Sequence, residues 1–144
     1  MDWVMDASLA LAWALPDEKS AVADEFFRRI EAEEIRVPAI FWYEVSNSIA
    51  VSSKRGRLTP ANARRLLELL SGLPFKTDAL VGQPTLVPLE AAARVHGLSV
   101  YDAAYLDLAA RKGLGLATLD EQLATAARQA GIPVFTSESD GAAQ

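Results

Sequence analysis

Short apolar runs, each closed by a polar residue or a proline and followed by helical periodicity, recur along this chain. "DWVMD" (2–6), "IRVP" (35–38), "LGLATL" (114–119) and "IPVFT" (132–136) read as strands, with a weaker one at "PFKTD" (74–78). Helical patterns fill the gaps. Residues 8–15 form a turn or two ended by Pro16. Residues 18–34 place Ala21, Val22, Phe26, Phe27 and Ile30 at steps of one, three and four, which predicts an amphipathic helix. Residues 39–56 form a long helix with Gly56 as its stop and Lys54 and Arg55 near its negative end. Thr59-Pro60 opens a helix to about Gly72, with others at 83–97, 99–113 and 120–131. Strands alternating with helices predict a parallel sheet covered on both faces. The expected class is α/β: a three-layer α/β/α sandwich around a mainly parallel sheet of four to five strands.

The length of 144 residues suits one domain, expected over 1–136. No repeat or linker divides it, and "SESDGAAQ" (137–144) is expected to be a flexible, fraying tail. The absence of cysteine excludes disulfides, thiolate metal sites and a cysteine nucleophile. It also fits a cytoplasmic protein. Asp2 and Asp6 interrupt the N-terminus, so no signal peptide is expected there. No apolar run reaches the roughly 18 residues that span a bilayer, so no membrane role is expected. A net charge of −5 argues against binding nucleic acid through global charge. It leaves a nuclease open, because a metal ion and a local basic patch can handle phosphates.

The acids stand in telling places. In open α/β sheets, ligands bind beyond the carboxyl ends of the strands. Asp6 follows the first strand there, and Asp120 follows the strand at 114–119. Asp102 lies in the first turn of the preceding helix, and Glu44 lies among Phe41, Trp42, Tyr43 and Val45. Each also has a purely structural reading. Asp6 and Asp120 can cap the helices that follow them. "SVYD" makes a capping box of Ser99 and Asp102. Glu44 can be a solvated side chain. Together the four point further, since clustered carboxylates repel and raise one another's pKa unless something neutralises them. A hard divalent cation with oxygen ligands does so.

"VMDASLALAWALPDE", "VPAIFWYEVSNSI" and "GLSVYDAAYLDLAARKGLGLATLDEQLATAARQAGIPV" resemble the PIN-domain family, most of all the VapC-type toxins of toxin–antitoxin pairs. The resemblance runs from Val4 to about Phe135 and is least specific between Leu58 and Pro88. It implies an endoribonuclease dependent on Mg²⁺ or Mn²⁺, with Asp6, Glu44, Asp102 and Asp120 as catalytic and metal-holding acids. Ser8 and Thr118 match the small hydroxyl residues of the family, and Asp107 is a further candidate acid. The resemblance also implies an RNA substrate, a homodimer, and a cognate antitoxin that wraps the helices and blocks the cleft.

Other residues carry weaker signals. "SSKRGR" (52–57), with Lys54 and Arg55, and the pair Arg64-Arg65 form the densest basic region, readable as a phosphate-guiding rim or as a solvated face. Trp13, Trp42 and Tyr43 can stack on bases or fill a core. His96, the one histidine, reads best as helix C-terminal charge. The rival reading is a non-catalytic or phosphoryl-accepting α/β signalling domain. The phosphoryl-accepting form needs a lysine after its last strand, and this chain has none beyond Lys112.

Overall fold

The computed structural model describes residues 1–18 and 20–135. Its sheet contains β1 (Trp3–Met5), β2 (Ile35–Val37), β3 (Lys76–Thr77) and β4 (Gly115–Ala117) in the order β3-β2-β1-β4. Every pairing is parallel: Trp3 faces Ile35 on one side and Gly115 on the other, and Arg36 faces Lys76. Among the described residues, α1 (Ala7–Ala14), α2 (Ala21–Arg29), α3 (Ile40–Lys54), α4 (Pro60–Ser71), α5 (Leu86–His96), α6 (Val100–Lys112) and α7 (Glu121–Gln129) flank the sheet. Val4 and Met5 of β1 and all of β4 are buried. Successive side chains of a strand point to opposite faces, so both faces of the sheet are covered and the molecule has three layers.

The topology follows from which strand each crossover reaches. The chain lays β2 and then β3 on one side of β1, then returns to place β4 on its other side. The direction therefore reverses between β1 and β4, and a crevice opens at their carboxyl ends. β1 is the hub, and its packing leaves little freedom. The Trp3 ring meets Phe26 and Phe135 edge-on at 6.2 and 5.4 Å. It also lies flush on Gly115, where a Cβ would stand 2.5 Å from a ring carbon. Glycine at 115 is thus a condition for β1 and β4 to pair beneath that ring.

Three elements differ from the sequence expectation. The helix expected over 18–34 is shorter. Ser20 caps it by accepting from Ala23 N–H, and after Arg29 it tightens into a 3-10 turn at Ile30–Ala32. The following residues are claimed by β1: the Trp3 indole donates to Glu33 at 2.8 Å, and Trp3 N–H donates to the Glu34 carbonyl. The strand expected at 132–136 reduces to one parallel bridge, Leu116 to Val134. Position 136 and the tail at 137–144 lie outside the described residues. The helix expected at 83–97 begins with a 3-10 turn at Gln83–Thr85 before α5. α6 packs against β1, β4, α5 and α7, and it buries Ala103, Tyr105, Leu106 and Leu108. No helix among the described residues is long and apolar enough to cross a membrane.

Candidate active site

Asp6 leaves β1 at the crevice and becomes the N-cap of α1, where its carboxylate accepts from Leu9 N–H at 3.2 Å. Capping is only part of its bonding. The Ser8 hydroxyl donates to Asp6 Oδ1 at 2.7 Å, and the Thr118 hydroxyl donates to Asp6 Oδ2. The same two hydroxyl oxygens accept backbone N–H groups from the loop after β4: Leu119 to Ser8 at 3.1 Å and Asp120 to Thr118 at 2.9 Å. A closed network therefore stitches the end of β1 to the end of β4. Asp6 is 5% exposed, and its pKa is pushed up to about 6. Burial is the largest cause and the Asp120 charge adds to it, against the opposing pull of the Thr118, Ser8 and Leu9 donors.

Asp120 caps α7, accepting from Leu123 N–H at 3.0 Å. Asp102 sits in the first turn of α6, and its backbone N–H donates to Ser99 at 3.1 Å. Burial raises the Asp102 pKa, followed by the charge of Asp120. Glu44 is partly buried on α3. Its pKa is also raised, first by burial and then by Asp102, while the Tyr105 hydroxyl pulls the other way by donating to Oε1 at 2.7 Å. Repulsion thus runs as a chain: Asp6 to Asp120, Asp120 to Asp102, Asp102 to Glu44. Among the described residues, no three His, Cys, Asp or Glu side chains converge tightly enough to encage an ion by direct ligation.

The other candidates fall elsewhere. Asp107 is engaged by Arg111 at 2.8 Å, and Arg111 also bridges to the buried Asp78. Lys54 and Arg55 end α3, ten residues and roughly 15 Å of helix axis from Glu44. Arg64 pairs with Glu68. Trp13 stacks on Phe27 at 3.9 Å, and the Trp42 indole donates to Thr77. Tyr43 is 73% exposed beside Glu44, which leaves its ring open to a ligand. His96 closes α5. A cavity of about 660 Å³, lined by Trp13, Phe27, Leu73 and Phe75, contains none of the four acids. Its lining is mainly apolar, with Asp24, Arg28 and Glu33 also contributing.

Tyr105 is the residue the sequence reading passed over. A signal for it existed, because it stands three positions after Asp102 and so shares that acid's helix face.

A family model described as "PIN domain" matches residues 3–139. The chain belongs to the PIN domain family. Among its relatives, ribonuclease VapC3 of Pyrobaculum aerophilum is 36% identical over 124 residues, which is 86% of this chain and 93% of that protein. The crystal structure of PAE2754 from Pyrobaculum aerophilum aligns with a TM-score of 0.66 at 26% identity, covering 88% of this chain and 84% of that one. A toxin–antitoxin complex from Klebsiella pneumoniae aligns with a TM-score of 0.62 at 21% identity, covering 94% and 97%, and shares the fold. In this PIN domain Asp6 and Asp120 follow the two strands, β1 and β4, between which the strand order reverses.

Proposed function

We propose that this PIN domain is a metal-dependent endoribonuclease, the toxin of a type II toxin–antitoxin pair, hydrolysing RNA phosphodiester bonds. The observation that carries the reading is the run of mutually repelling acids, Asp6, Asp120, Asp102 and Glu44, at the crevice between β1 and β4. Relatives named as ribonucleases support it. So does the chemistry of the donors, which are all oxygen: carboxylates backed by the Ser8 and Thr118 hydroxyls. Such a set fits Mg²⁺ or Mn²⁺. No three of the acids converge for direct ligation, so an ion here would be held mainly through the waters it keeps.

Asp6, Asp102 and Asp120 would hold the ion mainly through the waters it keeps, and Glu44 would complete the site. When bound, a divalent cation supplies charge neutralisation at the scissile phosphate and makes the attacking water more acidic. Ser8 and Thr118 hold the Asp6 carboxylate in one plane through hydrogen bonds to both of its oxygens. Glu44 would orient the attacking water or take up its proton. Lys54 and Arg55 guide the RNA backbone at a distance, as a basic rim.

The partner is a cognate antitoxin, a reading supported by structural neighbours described as toxin–antitoxin complexes. A second copy of the chain would give the homodimer that the family resemblance implies. A chain without cysteine that acts on RNA belongs in the cytoplasm.

The test is cleavage of a long RNA in Mn²⁺ by wild type and by Asp102→Asn. The variant is expected to keep its fold by circular dichroism and to lose at least about a hundredfold in rate. Equal cleavage by both proteins would remove Asp102 from the mechanism.

A further inference from the structure

We infer that Tyr105 is a positioning residue, whose buried phenol holds Glu44 in the acid array through a hydrogen bond from α6 to α3. Its effect on turnover rests on the nuclease reading above, whereas the bond itself does not. Tyr105 is 1% exposed, with its ring in the hydrophobic core, so the ring has no room to turn away. A buried phenol needs a polar partner. Here that partner is Glu44 Oε1 at 2.7 Å, sixty-one positions away in the chain. The backbone N–H of Ala7 lies within reach of the same phenol oxygen. Ala7 opens α1 directly after Asp6, where a helix N–H has no partner of its own. One oxygen atom thus stands where the elements carrying Asp6, Glu44 and Asp102 meet.

This placement has a chemical consequence. A glutamate on a helix face turns about three side-chain bonds, and like charge from Asp102 tends to drive Glu44 outward. A donor fixed in the core opposes that motion. It ties up one carboxylate oxygen and leaves the other outside that bond. Misplacement of a catalytic group by about 1 Å can cost about a hundredfold in rate, so a tether of this kind matters to turnover.

The experiment compares wild type, Tyr105→Phe, Glu44→Ala and the double variant. Three readouts are taken: the urea unfolding midpoint in EDTA, the affinity for Mn²⁺ alone, and kcat and KM on bacteriophage MS2 RNA. Tyr105→Phe is expected to fold, to bind Mn²⁺ several-fold more weakly, and to lose about tenfold in kcat with KM within about twofold. In the Glu44→Ala background the same substitution is expected to leave Mn²⁺ affinity and kcat unchanged and to lower the midpoint by less than in wild type, the remaining loss coming from the Ala7 N–H. Equal losses in both backgrounds, or a Tyr105→Phe protein identical to wild type, would overturn the inference. Should wild type neither cleave RNA nor bind Mn²⁺, the nuclease reading falls. The unfolding midpoints then decide the Tyr105–Glu44 tether, additive losses rejecting it and coupled losses sustaining it.

Discussion

Removing the charge of Asp6 should make the metal-free protein more stable, and more so as pH rises. In the folded chain this carboxyl titrates near 6 against an ordinary 3.8. A carboxyl raised in this way contributes stability that is complete below about pH 4 and is lost as pH climbs through about 6. At about 1.4 kcal/mol per pH unit, ionised Asp6 costs the fold about 1.6 kcal/mol at pH 5 and about 3 kcal/mol at pH 8. Asp6→Asn removes that cost. It also disturbs the network, because an amide nitrogen replaces the oxygen that accepts from Thr118. Losing that bond returns about 1 to 2 kcal/mol of destabilisation, nearly independent of pH. The variant should therefore be close to wild type at pH 5 and about 1 to 2 kcal/mol more stable at pH 8. The firmer quantity is the change between the two, about 1.4 kcal/mol. Urea unfolding in EDTA at both pH values measures it. A difference between variant and wild type that stays flat with pH would refute the reasoning. Saturating Mn²⁺ should reverse the order by stabilising wild type more than the variant.

Gly115→Ala should cost about 1 to 3 kcal/mol in urea unfolding, since its methyl group meets the Trp3 ring. Combining it with Trp3→Leu should recover part of that loss. Arg111→Ala strands the buried carboxylate of Asp78 and should lower stability by about 2 kcal/mol at pH 7 in urea unfolding.

Much of this site could be read from the chain, and the reason is local. Asp6 and Asp120 each end a short apolar run, and a parallel strand that opens into a helix puts its next residue at the sheet's carboxyl edge. The caps were legible for the same reason: Ser99, Thr59 with Pro60, and Asp120 act over three residues. Long-range claims were not legible. The helix expected to reach residue 34 stops early because Trp3, thirty positions away, recruits Glu33. The Tyr105 hydroxyl likewise finds Glu44 across the fold, a contact that no periodicity encodes. The basic residues pose a question of distance. Lys54 and Arg55 are close to Glu44 in sequence, but a helix carries them about three turns away.

The knot around Asp6 also has a timetable. Thr118, which grips it, lies 112 positions further along the chain. At synthesis rates of about 5–20 residues per second, the first acid waits roughly 6 to 20 seconds for its far partner to be made. β1 cannot gain its second neighbour, nor the crevice its second wall, until residues 115–120 have been made. A chain that has not reached Thr118 therefore lacks the assembled acid crevice, whatever its other strands have already formed.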